Sequence, residues 1–277
     1  MADPRLTPAR PDLAAKHLEG KVTAARFVEG VVQEVIVAQA PVRRAPSHDA
    51  PLDTETLKGE RVTVYEMTEE GWAWGQLEAD GYVGWIPSNA LMAPGATPTH
   101  KVTALRSFVF PAPSIKLPPF EAVPLGARLA IAQIEEGFAV TASGGYVPAR
   151  HLALLDSKES DFVALAERFV GTPYLWGGKT SLGIDCSGLV QVALNACGIA
   201  CPRDSDMQEA ALGAPADLSD LQRGDLLFWK GHVALARDAA TLVHANAFHM
   251  AVAIEPMAEA VERSRKAGCE VTSVKRI

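Results

Sequence analysis

Long apolar runs, basic residues and cysteines are all scarce in this 277-residue chain, and each scarcity excludes a class of protein. No stretch is apolar over the length that crosses a bilayer, so we predict no membrane-spanning helix and no membrane partner. The 33 acidic residues outnumber the 26 basic ones, which gives a formal net charge of −7. Because phosphate binding needs a basic face, nucleic acid is not expected as a partner.

Cysteine is represented by only four residues, Cys186, Cys197, Cys201 and Cys269, all in the last third of the chain. The first 20 residues lack the apolar core of a secretion signal, so we expect a cytoplasmic protein whose thiols form no disulfide framework. Cys197 and Cys201 have the spacing C-x3-C, but no second pair and no nearby histidine cluster accompanies them. We therefore predict no metal site.

What the chain does contain is enough apolar material for a sizeable core, with 48% hydrophobic residues. Residues 57–91 and 124–152 share a pattern: a glycine-led alternating strand, a strand after "EEG", then a glycine–tyrosine pair, a proline and a closing leucine. Short alternating strands separated by turn residues predict two small SH3-like β-barrels in tandem. We place them at residues 28–95 and 96–155, after an N-terminal helical segment at 1–27.

Residues 156–277 have a different pattern, in which helices come first and strands follow. The stretch "SDFVALAERFVG" predicts a helix capped by Ser160, and "DCSGLVQVALNACG" predicts one capped by Asp185 and ended by Gly198. Strand-like runs follow in "GDLLFWK", "HVALA" and "TLVHANA". This order favours an α+β domain.

Cys186 is predicted to lie in the first turn of the helix that Asp185 caps. The unsatisfied N–H groups and the positive end of the helix dipole favour a thiolate there, as a nucleophile requires. A small apolar cysteine that fills the helix is the alternative interpretation.

A nucleophilic cysteine needs a base, and the candidate is His232 in "KGHVALA". A hairpin centred on residue 238 would place His232 and His244 opposite each other on one face, so that the second orients the ring of the first. A buried core histidine remains the alternative for each. No role is predicted for the other five histidines, which are His17, His48, His100, His151 and His249.

Six motifs together carry a resemblance to a known family. They are "TPYLWGG" (172–178), "GIDCSGLVQ" (183–191), "CPRDSDMQ" (201–208), "RGDLLFW" (223–229), "GHVAL" (231–235) and "LVHA" (242–245). Their order resembles that of the NlpC/P60 cysteine peptidases, which have a papain-like core and cleave bacterial cell-wall peptides. With the two SH3-like modules, the arrangement resembles the dipeptidyl-peptidase VI type, the γ-D-glutamyl-L-diamino acid endopeptidases.

The resemblance implies a role for each matching residue. It makes Cys186 the nucleophile, His232 the base and His244 the third polar group. Substrate contact is implied for a further set, with a solvated turn pair as the alternative for Arg203 and Asp204: Tyr174, Trp176, Asp185, Ser187, Arg203, Asp204 and Ser205. No metal or organic cofactor is implied.

In the resembling subfamily the first SH3 module borders the active site and recognises a free N-terminal L-Ala. Tyr82 matches a tyrosine with that role, and an acidic partner for the ammonium is expected from residues 44–55, with Asp49 as the candidate and Glu55 behind it. A barrel-core position is the alternative for Tyr82.

The expected activity is hydrolysis of the γ-D-glutamyl–diamino acid bond in short murein peptides with a free N-terminus, as part of cell-wall peptide recycling. A catalytically silent protein that binds these peptides is the alternative. Acyl transfer on lipid is disfavoured because no membrane-facing apolar segment is present.

Overall fold

A computed structural model describes residues 3–277, and its contacts divide the chain between Ser157 and Lys158 into two compact units. Both strands and helices are present, and the first unit is built almost entirely of strands. No helix in this described range combines the length and the apolar character needed to cross a membrane.

The first unit begins with a module whose main sheet has seven strands. Its strands are β1 (Ala14–Ala15), β2 (Phe27–Val28), β3 (Val31–Val35), β4 (Gln39–Arg43), β5 (Leu52–Leu57), β6 (Arg61–Met67), β7 (Trp72–Leu77), β8 (Val83–Pro87) and β9 (Leu91–Met92). The order in the sheet is β5-β4-β8-β7-β6-β3-β9. Alternate residues of β4 and β6 are buried, as the period of two in a half-buried strand requires.

A second, smaller module follows in the same unit. Its strands are β10 (His100–Val102), β11 (Arg106–Val109), β12 (Glu121–Pro124), β13 (Arg128–Leu129), β14 (Ile131–Glu135), β15 (Phe138–Thr141), β16 (Tyr146–Pro148) and β17 (Leu152–Leu154). They form the sheets β13-β10-β17, β11-β12 and β14-β15-β16 around a small valine-rich core. Each module has one 3-10 turn after a proline, at Ser88–Ala90 and at Ala149–His151, and a short final strand follows each turn.

The N-terminal segment is not helical, and this corrects the prediction for residues 1–27, of which 1 and 2 lie outside the described range. Besides β1 and β2 it contains one 3-10 turn, Lys16–Leu18. Its prolines at positions 4, 8 and 11 oppose a continuous helix because each removes an N–H donor. Instead the segment packs on the first module, where the Arg10 guanidinium lies 4.4 Å from the Trp74 ring and 4.8 Å from the Trp85 ring.

The second unit combines four α-helices with one large antiparallel sheet. Its elements are α1 (Phe162–Glu167), β18 (Lys179–Thr180), β19 (Gly183–Ile184), α2 (Cys186–Ala196), α3 (Ser205–Ala211), β20 (Ala214–Ala216), a 3-10 turn (Leu218–Asp220), β21 (Leu226–Trp229), β22 (His232–Ala236), β23 (Thr241–Asn246), β24 (Ala251–Pro256), α4 (Met257–Lys266) and β25 (Val271–Arg276). The sheet order is β20-β25-β21-β22-β23-β24, and β18 pairs with β19 separately. Helix α2 packs against β22, β23 and α1.

The two helix starts in this unit were predicted with different success. Asp185 caps α2 as predicted, and Gly198 follows the helix with a positive φ of 77°. The cap of α1 is Asp161 rather than Ser160, because the Asp161 carboxylate accepts the N–H groups of Val163 and Ala164 at 2.9 and 3.0 Å.

The histidine hairpin also differs from its predicted register. Leu235 pairs with Val243 and Ala236 with Leu242, so the turn is centred on residue 239 rather than 238. Extending this register places His244 level with Ala234 and diagonal to His232. A shift of two residues keeps both side chains on the same face of the sheet, because successive side chains alternate between the two faces.

Candidate active site

Cys186 is the first residue of α2, and Asp185 builds the start of that helix. One carboxylate oxygen of Asp185 accepts the Gly188 N–H at 2.7 Å, and the other accepts the Gly177 N–H at 2.7 Å. The first of these bonds is the N-cap, and the second ties the preceding loop to the helix. The thiol of Cys186 is therefore held at the positive end of a helix whose first turn is fixed from two sides.

Arg203 locks this arrangement from inside the protein. Its guanidinium binds both oxygens of Asp185, at 2.9 and 2.8 Å, and also donates to the Ser187 hydroxyl at 2.9 Å. Only 1% of Arg203 is exposed, and Asp185 and Ser187 are buried with it. The three side chains thus hold one another in place at the helix start, and their assignment to substrate contact stays a prediction.

Two glycines allow the loop to approach the helix this closely. A Cβ atom on Gly188 would meet the Gly178 carbonyl oxygen at 2.5 Å, and one on Gly178 would meet the Gly183 carbonyl oxygen at 2.4 Å. These distances are shorter than van der Waals contact, so no larger residue fits without moving the backbone. The glycines of the "WGG" and "DCSG" motifs are thus explained by packing at the helix start.

Burial of Cys186 opposes the thiolate that the start of the helix favours. Burial raises the pKa of the thiol to about 12, and the Asp185 carboxylate acts in the same direction. The Val233 N–H, the Arg203 guanidinium and the Ser187 N–H lower the pKa but do not outweigh the loss of hydration. The raised pKa favours the neutral thiol, and the hydrogen bond from the Val233 N–H places the sulfur beside the start of β22.

His232 is the first residue of β22 and is held by its neighbours on both sides. Its ring lies 5.5 Å from the Trp229 ring, and its Nε2 lies 2.9 Å from His244 Nδ1. Burial lowers the pKa of His232 to about 3, and His244 acts in the same direction. The resting imidazole is therefore neutral, and it can accept a proton from the thiol when that proton is released.

The array continues through two residues that the sequence analysis missed. His244 Nε2 lies 2.7 Å from a carboxylate oxygen of Glu255 on β24, and Arg263 on α4 binds the same carboxylate at 2.7 and 2.6 Å. Ala253 is the partner of His244 across β23 and β24, so Glu255 lies diagonal to His244 on the same face. A single acid in the otherwise apolar strand "AVAIEP" was the signal available in the sequence.

The four remaining predicted residues of this unit, Tyr174, Trp176, Asp204 and Ser205, differ in burial and position. Burial raises the pKa of Tyr174, and the charges of Cys186 and Asp185 raise it further, so the phenol lies close to the thiol. Trp176 is 63% exposed. Asp204 precedes α3 and Ser205 begins it, and both are partly exposed. The assignment of these residues to substrate contact stays a prediction.

The candidates in the first unit differ in burial. Tyr82 is 4% exposed and Glu55 is 5% exposed, and Glu55 accepts a hydrogen bond from Gln39 at 2.8 Å. Asp49 lies in an exposed turn, where its N–H binds the Ser47 hydroxyl. Glu55 is thus the acidic residue in a desolvated environment, where a carboxylate binds an ammonium most strongly.

Within residues 3–277 no group of three or more histidine, cysteine or acidic side chains is arranged to hold a metal ion. In the same range no two cysteines form a disulfide.

Comparison with known proteins identifies both kinds of domain. Residues 171–269 match the NlpC/P60 family, and residues 42–91 match the bacterial dipeptidyl-peptidase SH3 domain. Dipeptidyl-peptidase 6 of Lysinibacillus sphaericus is 43% identical over 84 residues, which are 30% of this chain and 31% of that protein. The chain thus aligns with about a third of the length of this relative.

Two further proteins match over most of the chain. The gamma-D-glutamyl-L-lysine dipeptidyl-peptidase of Bacillus cereus is 26% identical over 240 residues, which are 74% of this chain and 71% of that protein. A crystal structure of an NlpC/P60 family protein from Bacillus cereus covers 89% of this chain and 99% of its own, with a TM-score of 0.75 and 21% identity. The fold is therefore α+β, with a papain-like NlpC/P60 domain preceded by SH3-like β-barrels. The chain thus combines a segment that matches the NlpC/P60 family, residues 171–269, with one that matches the bacterial dipeptidyl-peptidase SH3 domain, residues 42–91.

Proposed function

We propose that this protein is a cysteine peptidase that hydrolyses the γ-D-glutamyl–diamino acid bond of short murein peptides. The observation that carries the proposal is a thiol at the start of α2 that the Val233 N–H contacts, next to His232, whose ring lies 2.9 Å from that of a second histidine. A nucleophile, a base and a group that orients the base are the parts that acyl transfer requires. The names of the matched relatives, which include a gamma-D-glutamyl-L-lysine dipeptidyl-peptidase, support the choice of bond.

In the first step the Cys186 sulfur attacks the γ-carbonyl carbon of the D-glutamyl residue, and the thiol proton moves to His232. Burial favours the neutral form of both groups, because it raises the pKa of the thiol and lowers that of the imidazole. Charge therefore develops only as the new bond forms. Backbone N–H groups at the start of α2 stabilise the negative oxygen of the tetrahedral intermediate.

Collapse of this intermediate breaks the carbon–nitrogen bond and leaves a thioester on Cys186. His232 gives its proton to the departing amine of the diamino acid, and the neutral imidazole then removes a proton from an entering water. The water oxygen attacks the thioester carbon, the carbon–sulfur bond breaks, and the proton held by His232 returns to sulfur. The products are a dipeptide acid and a diamino acid amine, and no cofactor is consumed.

Recognition of the free N-terminal L-Ala is assigned in this proposal to Tyr82 and an acidic residue of the first module. Of the two acidic candidates we favour Glu55, because it is buried whereas Asp49 lies in an exposed turn. A requirement for a free amine restricts the enzyme to peptides already released from the wall. We therefore propose that the reaction serves the recycling of released wall peptides in the cytoplasm.

Mass spectrometry of the protein incubated with L-Ala-γ-D-Glu-L-Lys and with its meso-diaminopimelate analogue tests the reaction. We expect release of L-Ala-D-Glu by the wild type and by Cys269→Ala, and no release by Cys186→Ala. Cys269 is the matched control because it is a partly exposed cysteine outside the site. Binding of either tripeptide without release would support the alternative, a murein-peptide-binding protein that does not cleave.

The substrate's amine is tested separately with N-acetylated tripeptide. Equal rates on the acetylated and free peptides would overturn the assignment of amine recognition while leaving the choice of bond intact.

A further inference from the structure

The histidine pair is part of a longer hydrogen-bonded array that crosses three strands and a helix. From His232 on β22 it passes to His244 on β23 at 2.9 Å and to Glu255 on β24 at 2.7 Å. Arg263 on α4 closes it with two bonds to the Glu255 carboxylate, at 2.7 and 2.6 Å. The Arg263 guanidinium in turn lies 4.2 Å from the centre of the Phe248 ring. The sheet and α4 together therefore fix the far end of the array.

The carboxylate of Glu255 determines which ring nitrogen donates and which accepts in each hydrogen bond of the array. An ionised carboxylate only accepts hydrogen bonds, so His244 must carry its proton on Nε2 to bind Glu255. When His244 is neutral, its Nδ1 carries a lone pair, which accepts a hydrogen bond from the Nε2–H of His232. In His232 the lone pair is consequently left on Nδ1. Among residues 3–277 nothing hydrogen-bonds to that nitrogen, so it is available as the base.

We propose that Glu255 is a positioning residue that sets the tautomers of His244 and His232, and that Arg263 holds the Glu255 carboxylate in place for this purpose. The kinetic part of the test rests on the proposed peptidase function, but the tautomers themselves can be measured without any substrate. Glu255 touches neither the thiol nor the reacting atoms, so its effect passes through the two histidines.

The ionised state of Glu255 is secured by its surroundings. Burial on its own would raise the pKa of Glu255, but the hydrogen bonds from His244 and Arg263 outweigh it and bring the pKa to about 2. The carboxylate is therefore charged at neutral pH, as the tautomer argument requires.

The charges of the array also act on His232, with opposite signs. Apart from burial, the groups that face His232 are His244 from β23, Glu255 from β24, Arg263 from α4 and Asp185 from the start of α2. Glu255 and Asp185 raise the pKa of His232, whereas Arg263 lowers it, as would a positive charge on His244. Removing the charge of Glu255 should therefore lower the pKa of His232, and removing that of Arg263 should raise it.

The first experiment is nitrogen-15 NMR of the histidine rings in the full-length protein, comparing wild type with Glu255→Gln. In the wild type we expect a proton on Nε2 of both His244 and His232 and a lone pair on both Nδ1 atoms. A glutamine can turn either its oxygen or its NH₂ group toward His244, so we expect mixed tautomers in the variant. Identical ring spectra for the two proteins would overturn the proposal.

The second experiment measures kcat and KM against pH with the tripeptide. For Glu255→Gln we expect kcat to fall about 10- to 100-fold, as for other residues that orient a catalytic ligand, with KM changed less than about twofold. For Arg263→Gln, which keeps the carboxylate, we expect the acidic limb of kcat/KM to move to higher pH. A purely structural role would lower the active fraction of either variant without moving the pH profile.

Glu262→Gln is the matched control, because Glu262 lies on the same helix in an exposed pair with Arg265 at 2.7 Å. Its ring spectra and pH profile should superimpose on those of the wild type. If Glu255→Gln does not fold, the limb shift in Arg263→Gln decides, and an unmoved limb there refutes the proposal. If the wild type cleaves neither tripeptide, the proposed function fails, while the ring spectra still test the array.

Discussion

Alkylation of Cys186 by iodoacetamide is expected to be slow at neutral pH and to accelerate steadily into the alkaline range. The raised pKa of about 12, against an ordinary value of 9.0, reduces the thiolate fraction about 1,000-fold at any pH below both values. A thiolate of higher pKa is a better nucleophile, here by about 20-fold, so the net rate should fall about 50-fold below that of a small model thiol. The burial of the sulfur can only slow the reaction further.

The assay is mass spectrometry of cysteine-containing peptides after timed exposure to the reagent, which resolves Cys186 from the other three cysteines. Between about pH 6 and pH 10 the rate at Cys186 should rise close to tenfold for each pH unit, without a plateau. A plateau with a midpoint below about pH 8 would show a thiolate–imidazolium pair at rest. That result would refute the reasoning that desolvation dominates at this helix start.

Three further predictions concern the buried charges. Arg203→Met should destabilise α2 by about 3–5 kcal/mol, because it leaves the Asp185 carboxylate buried without its cation. Hydrogen exchange of the helix amides measures this free energy. The control Arg223→Met breaks only exposed ion pairs and should change the same free energy by less than about 1 kcal/mol. Arg10→Met should lower the free energy of unfolding of the first module by about 1–2 kcal/mol, measured by tryptophan fluorescence in urea, since it removes a cation from two indole faces. Glu55→Gln should raise KM for the free tripeptide at least about tenfold and leave the slow cleavage of N-acetylated peptide unchanged. Asp49→Asn should change neither value. The opposite result would show that Asp49, and not Glu55, binds the substrate's amine.

Local signals in the sequence were sufficient for the start of α2 and for the strands that carry the histidines. An acidic N-cap, a glycine at the helix end and alternating apolar residues each act over a few positions. Their effect therefore depends little on the rest of the fold. Asp185, His232 and His244 could therefore be assigned to the correct elements from the sequence alone. The register of the hairpin could not, because the turn residues "RDAA" admit more than one loop length, and the observed centre differs by one residue.

The roles that depend on burial could not be predicted in the same way. An arginine next to a turn looks the same in sequence whether it faces solvent or a buried carboxylate. Arg203 binds the buried carboxylate of Asp185. Glu255 and Arg263 meet His244 only because β24 pairs with β23 and α4 returns over the sheet edge. The helical prediction for the N-terminal segment failed because its three prolines oppose a continuous helix and because its Arg10 binds a tryptophan more than 60 residues away.

The neutral resting state of the thiol and the fixed direction of the histidine array are two consequences of the same burial. A low dielectric disfavours both the thiolate and the imidazolium, so both charges are expected to form only when the sulfur attacks the substrate's carbonyl carbon. Under those conditions the helix dipole alone cannot activate the nucleophile. The thiol proton must instead be accepted by a nitrogen of His232 that is already unprotonated and faces the thiol. The permanent charges of Glu255 and Arg263 are paired with each other, so they orient the rings while adding little net charge beside them. Glu255 is thus separated from His232 by two hydrogen bonds, and it acts on the base by orienting His244 rather than by direct contact.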